Sequence, residues 1–343
     1  VHICHVNLAS GFSGGERQTL QLIKQQIKEG YNLTVVANPK SPFVDEIKKL
    51  SCKLVLASHF TKQHSKSITE NCQAIHVHEG RAIYWALIQN LLFAIPYIVT
   101  RRIDNPLKDK WLSNLAYNKA SALIGLSNEI VSRIRERHSS ASIHKIPSSP
   151  VVYTVNKQQV EQIKQQFLDK FIVVQAANML KHKGFNLTVD AARSIEKTNP
   201  DIHFILLGDG KEKASLEKQA DGLTNITFAG KQSNMGDWFT AADLLIHTSY
   251  SEGLGSVILE AMAAELPVIG SDAGGIPDII EHNQSGLLFE SGNSEALAEA
   301  IKRLASDAHL REKLLSGGHE KLKLFDIEYT SKLYKKIYLS LEG

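Results

Sequence analysis

Short apolar runs alternate along this chain with longer stretches in which apolar positions recur every three or four residues. The runs read as strands buried on both faces, and the longer stretches as amphipathic helices. In the first half the runs predict strands over 2–8, 33–37, 53–57, 74–78, 97–101, 122–126 and 143–146, with helices between them, for example over 16–29 and 127–137. Pro147-Ser148-Ser149-Pro150 interrupts the alternation and reads as a hinge. The pattern then restarts, with strands over 172–176, 203–207, 225–228, 244–247, 267–270 and 286–289. A last amphipathic helix is predicted over 326–341, carrying Tyr329, Leu333, Tyr334, Ile337 and Tyr338.

Strand–helix alternation of this kind predicts βαβ units and parallel sheets with helices on both faces. The chain of 343 residues is long enough for two such domains. The expected architecture is α/β, with two doubly wound Rossmann-like domains facing across a cleft. Their expected bounds are 1–149 and 150–325, followed by the helical segment 326–343. Ligands of such sheets sit beyond the carboxyl ends of the strands.

Composition changes this picture little; charge changes it more. The longest apolar run, 86–99, is broken by Gln89, Asn90 and Pro96, so a membrane span is not expected. No secretory signal is read at the start, and Cys4, Cys52 and Cys72 have no metal-binding spacing. Free thiols in a cytoplasmic, reducing compartment are the expectation. Residues 1–150 carry 19 Lys/Arg against 10 Asp/Glu, and residues 151–343 carry 20 against 26. A basic first half points to an acidic partner, such as an anionic membrane surface or a phosphorylated acceptor. Nucleic acid is not expected, because neither a recognition helix nor an RNA-binding aromatic signature is present. A merely solvated basic face is the bland alternative.

The densest chemistry lies in Ser251–Leu266, SEGLGSVILEAMAAEL, which follows the apolar run Leu244-Leu245-Ile246 and Thr248-Ser249. This order reads strand, tight turn, helix. Gly253 and Gly255 allow close backbone approach to a ligand. The amides of Gly255, Ser256 and Val257 open the helix and form an anion site. Glu252 precedes that helix, and Glu260 lies about two turns inside it. A helix start suits a phosphate and two carboxylates suit sugar hydroxyls, so the segment suggests a nucleotide-sugar site. Solvated helical glutamates are the ordinary alternative.

SEGLGSVILEAMAAELPVIGSDAGGIPDII resembles the signature segment of the large retaining glycosyltransferase family four, and LLGDGKEKASLE, ITFAG and QSGLLFESGN extend the resemblance. It is strong over about 172–306 and weaker elsewhere. It implies the GT-B fold and retaining, metal-independent transfer of a hexose from a nucleotide-diphosphate sugar, with UDP the first choice of nucleotide and GDP the second. It places Glu260 on the ribose hydroxyls and Glu252 on the transferred sugar. Lys183, in Asn178-Met-Leu-Lys181-His-Lys183-Gly184, matches the lysine that contacts the donor diphosphate; Asn178 stands where the family has arginine. Gly14 and Gly15 match the loop whose amides reach the diphosphate and lie near the acceptor. Gly208 and Lys231 fall in loops around the nucleotide base. Many relatives carry a histidine near the position of Arg102, and this chain has Thr100-Arg101-Arg102-Ile-Asp104.

That histidine's role does not transfer, which leaves several groups at strand ends as candidates. Arg101 and Arg102 suit an acceptor phosphate or donor oxygens, Asp104 suits an acceptor hydroxyl proton, and His78 and Glu79 are further acceptor-side candidates. No Asp-x-Asp pair or zinc spacing is present, so neither a metal nor a covalent cofactor is expected. GGERQ together with TRRID resembles bacterial enzymes that build lipopolysaccharide or lipooligosaccharide core. The acceptor would then be a glycolipid or glycan, and the enzyme peripheral at the cytoplasmic face of the inner membrane. In the resemblance the terminal helix crosses back to the first domain. A nonhydrolysing nucleotide-sugar epimerase of GT-B architecture and a noncatalytic nucleotide-sugar-binding protein are the alternative readings.

Overall fold

The computed structural model describes residues 1–103, 107 and 110–341. The chain forms two compact units, Val1–Val151 with Phe325–Gly343 and Val152–Leu324. In the first unit β1 (His2–Asn7), β2 (Asn32–Ala37), β3 (Lys53–Leu56), β4 (Ala74–Val77), β5 (Tyr97–Arg101), β6 (Ala122–Gly125) and β7 (Ile143–Lys145) pair in the order β3-β2-β1-β4-β5-β6-β7. In the second, β8 (Phe171–Ala176), β9 (Ile202–Leu207), β10 (Ile226–Gly230), β11 (Leu244–His247), β12 (Val268–Ser271) and β13 (Leu287–Phe289) pair in the order β10-β9-β8-β11-β12-β13. Every one of these pairings is parallel. The α/β reading therefore holds in both halves.

Each sheet reverses its winding once. From β1 the chain builds outward through β2 and β3, then returns to place β4 on the other side of β1. The second sheet does the same between β8 and β11. Loops leaving the two strands at such a reversal diverge to opposite faces and open a crevice at their carboxyl ends. Arg102, just past β5, and Gly14-Gly15, which open the helix after β1, lie on the segments leaving the first sheet near its reversal, and Lys183 and Glu252 on those leaving the second.

Helix ends follow local chemistry that the apolar periodicity does not report. The first helix runs Gly14–Lys28, two residues ahead of the expected start. There the Ser13 amide and hydroxyl both donate to Glu16 Oε2, at 2.8 Å and 2.8 Å. The last helix, Ile327–Ser340, begins where the Asp326 carboxylate accepts the amides of Glu328 and Tyr329 at 2.7 and 3.1 Å. Its buried stripe holds Tyr334, Ile337 and Tyr338, packed in one core with Ile3, Leu20, Ile23 and Val35. Tyr329 departs from the expected apolar face: it is 46% exposed, one step around the helix from buried Thr330. No helix of the described residues is long and apolar enough to cross a membrane.

Candidate active site

The second unit builds its site on the loops that leave β8 and β11. After β8 the chain turns through Lys181–Lys183 to Gly184, whose φ of +66° suits glycine. A Cβ there would stand 1.9 Å from the Thr248 carbonyl oxygen, so only glycine lets this loop meet the end of β11. The Gln175 side chain and the Thr248 hydroxyl reinforce the junction, donating to the Lys183 carbonyl at 3.1 and 3.1 Å.

This junction brings Lys183 to Glu252. Lys183 Nζ lies 2.6 Å from Glu252 Oε2, His247 Nε2 lies 2.7 Å from the same oxygen, and the Ser249 hydroxyl donates to it at 3.2 Å. Burial alone would raise the pKa of Glu252. The hydrogen bond and charge of His247, with those of Lys183, override it and hold the carboxyl well below the usual carboxylate range. Glu252 is therefore an anion fixed at one oxygen. Among the described residues, Oε1 carries no hydrogen bond and is left for a ligand.

The backbone of Glu252 is fixed from the loop after β12. The Gly275 amide donates to the Glu252 carbonyl at 2.8 Å. Gly274 has φ +55°, and a Cβ there would lie 2.1 Å from that same carbonyl oxygen. Gly274→Ala should therefore displace Glu252, cost at least about 2 kcal/mol of stability and lower the melting temperature by several degrees. A variant that melts within a degree of the wild type would show that this loop yields freely.

Gly255 immediately precedes the helix Ser256–Ala263, and no side chain caps that helix. The Ser256 and Val257 amides thus open the helix beside Glu252. Glu260 is not joined to Glu252; its Oε2 accepts the Tyr153 hydroxyl at 2.8 Å. Gly208 and Lys231 are brought close, since the Gly208 amide donates at 2.8 Å to the carbonyl of Gly230, the residue before Lys231. Asn178 is exposed on the loop after β8. Lys181 lines a separate cavity of about 660 Å³ with His182, Phe185, Leu216 and Tyr250.

In the first unit Arg102 lies against Gly14-Gly15 at the start of the first helix; a Cβ on Gly15 would stand 3.5 Å from Arg102 Cδ. Its guanidinium donates to Gln18 Oε1 at 2.8 Å, to the Ser148 hydroxyl at 3.1 Å and to His78 Nδ1 at 3.2 Å. His78 is buried. Glu79 is engaged at a helix start, its two oxygens accepting the amides of Arg81 and Ala82 at 2.9 and 2.9 Å. Burial is the main cause that raises the pKa of Glu79. Arg101 donates to the Tyr117 hydroxyl at 3.3 Å. Asp104 lies outside the described residues.

Several contributors escape the sequence. His247, Ser249 and Tyr153 reach the glutamates only through the fold; a histidine and a serine just ahead of Glu252 at a strand end were the available signal. His5, His76 and His78 stack together at buried positions of β1 and the end of β4, with candidate ligand atoms within 4.8 Å of one another. Their nitrogens are already engaged: His5 with His78 and Gln26, at 2.8 and 2.8 Å, and His76 with Tyr338 and Thr100, at 2.7 and 2.7 Å. With the Arg102 cation on His78, this set suits a hydrogen-bond chain rather than a metal ion.

Comparison with known proteins places these features. Residues 156–321, nearly all of the second unit, match the family "Glycosyl transferases group 1". The chain is similar to the lipopolysaccharide core biosynthesis glycosyltransferase LpsD of Rhizobium meliloti (strain 1021), 34% identical over 176 residues, 50% of this chain and 49% of that protein. It is also similar to LpsE of the same organism, 32% identical over 157 residues, 45% of each. These matches span about half the length of the two relatives. Among solved structures, Anabaena HepE in complex with UDP-glucose superposes with a TM-score of 0.81 at 19% identity, covering 99% of each chain. That likeness gives the fold, two Rossmann-like units of the GT-B type. Over its second unit the chain is similar to the glycosyl transferases group 1 family.

Proposed function

We propose that this protein is a retaining glycosyltransferase that moves a sugar from a nucleotide-diphosphate donor, with a UDP-sugar ahead of a GDP-sugar, to a hydroxyl of a glycan or glycolipid. The observation that carries this reading is Glu252, held ionised by Lys183 and His247 beside the start of the Ser256–Ala263 helix. The relatives' role in lipopolysaccharide core biosynthesis supports core assembly as the setting, and the basic first half suits an acceptor at an anionic membrane surface.

In this reading Lys183 and the amides of Ser256 and Val257 hold the donor diphosphate. They offset the negative charge that grows on it as the glycosidic bond breaks. Fixed cations and oriented amides supply this without a metal ion. Glu260 takes the ribose hydroxyls, with Tyr153 steering its carboxylate, and Gly208 and Lys231 border the base. Glu252 Oε1 accepts hydroxyls of the transferred sugar. Retention requires the acceptor to enter on the face the diphosphate leaves, and the departing phosphate oxygen takes the acceptor proton. The first unit receives the acceptor.

The test is transfer of labelled sugar from UDP-hexoses to lipopolysaccharide core acceptors, with the anomeric configuration of the product read by NMR. An α-donor should give an α-linked product only when acceptor is present. An inverted product would refute retention. Donor consumed without acceptor to give an epimer would favour the epimerase, and donor bound without turnover the noncatalytic reading.

A further inference from the structure

We propose that the first unit carries a recognition centre for an oxyanion at Arg102, whose hydrogen-bond partners among the described residues are neutral and include one end of a one-way chain of uncharged histidines. Among the described residues, every hydrogen-bond partner of Arg102 is uncharged: Gln18 Oε1, the Ser148 hydroxyl, His78 Nδ1 and, at 3.5 Å, the Thr19 hydroxyl. Among the described residues no carboxylate pairs with it. The neighbouring acid, Glu16, acts on Arg102 through space only; its oxygens accept from Ser13 at Oε2 and from Asn7 Nδ2 at 3.4 Å at Oε1 rather than from the guanidinium. Arg102 Nε is buried and makes no hydrogen bond.

The chain behind Arg102 has a single direction. A guanidinium only donates, so His78 Nδ1 accepts and His78 Nε2 bears the ring hydrogen. That hydrogen goes to His5 Nδ1 at 2.8 Å, which puts the His5 hydrogen on Nε2, directed at Gln26 Oε1 at 2.8 Å. The Gln26 amide in turn donates to the Tyr338 hydroxyl at 3.4 Å, linking the chain to the terminal helix. Each imidazole thus holds one hydrogen and no charge. His78 is a positioning residue: it orients the guanidinium and returns no negative charge to it.

A half-buried cation surrounded by neutral dipoles is costly to hold until an anion arrives. A guanidinium pairs with the two oxygens of a phosphate or carboxylate. Arg102 sits at the carboxyl end of β5 against the first turn of the helix Gly14–Lys28, its Cδ 3.5 Å from where a Cβ on Gly15 would stand. The class of ligand is therefore a substrate group bearing an oxyanion. Its assignment to the acceptor rests on the glycosyltransferase reading; the binding itself does not.

Sulfate is the probe, titrated by calorimetry into the full chain at constant ionic strength. Arg102→Met should weaken sulfate binding at least about tenfold, the loss of one charge-assisted site. His78→Glu, which sets a carboxylate beside the guanidinium, should weaken it about as much. His78→Gln, equal in size but neutral, should stay within about threefold of the wild type. Saturating UDP separates the sources: unchanged sulfate binding assigns the oxyanion to the acceptor, and displacement assigns it to the donor. Acetate in place of sulfate tells a carboxylate site from a tetrahedral one. Wild-type affinity in Arg102→Met, or equal affinities in His78→Glu and His78→Gln, overturns the proposal. Should His78→Glu fail to fold, Arg102→Met and His78→Gln decide.

Discussion

Glu252→Gln should lower the rate of sugar transfer by about a thousandfold while leaving the affinity for UDP within about threefold. The substitution keeps size and shape and removes only the charge. That charge is the common partner of Lys183 at 2.6 Å, His247 at 2.7 Å and Ser249 at 3.2 Å, so its loss leaves all three only a neutral carbonyl oxygen and weakens the hold on Lys183 most. The free oxygen, proposed to accept sugar hydroxyls, becomes the nitrogen of an amide. UDP lacks the transferred sugar and, in the proposed function, is held through Glu260, so its binding should survive. The check is kcat with UDP-sugar beside a calorimetric Kd for UDP. A variant within tenfold of wild-type turnover would remove Glu252 from the chemistry.

Acidification should destabilise the first unit well before its carboxylates titrate. Burial lowers the pKa of His5 to about 4 and holds His76 and His78 well below the usual value. All three are neutral in the folded state and take up protons on unfolding once the pH falls below about 6.5. Their contribution is fully present above that value and is lost as the pH drops toward 4, because the unfolded chain then binds more protons. The loss approaches about 1.4 kcal/mol per pH unit for each histidine, so by pH 5 each should cost about 2 kcal/mol, whereas an exposed histidine with the same pKa in both states costs nothing. Glu252, with its lowered pKa, acts in the same direction only below about 4.5. Urea unfolding of the first unit at pH 7, 6 and 5, followed by hydrogen exchange at β1 and β4, measures this. A flat profile over that interval would mean that the histidines are charged or solvated in the folded protein.

The strands were legible because a parallel sheet covered on both faces demands unbroken apolar runs, and Leu244–His247 or Ile202–Leu207 can hardly be read otherwise. The strand–turn–helix around Glu252 was legible for the same reason, with glycine placement added. Short helices such as Phe43–Ile47 and Lys66–Thr69 were not, since a single turn shows no periodicity. The Glu252 cluster was half legible: Lys183 and Glu252 stand out as residue types at strand ends, but their meeting depends on Gly184 fitting under the Thr248 carbonyl. The histidine chain was hidden altogether. His5 and His76 become neighbours through the β1–β4 register, and Tyr338 joins them from the far end of the sequence. Nothing local to any of the three announces the others. Even Arg102, singled out from its position, gave no sign in sequence that its partners are neutral.

A nucleotide diphosphate held in the second unit through Glu260 and Lys183 is tested directly by calorimetric titration of UDP and GDP, with and without EDTA, into the wild type and Glu260→Ala. One of the two nucleotides should bind, unchanged by EDTA and weakened at least about tenfold in the variant, as expected for a lost charged hydrogen bond. Equal affinities in the two proteins, or no binding of either nucleotide to the wild type, would contradict it.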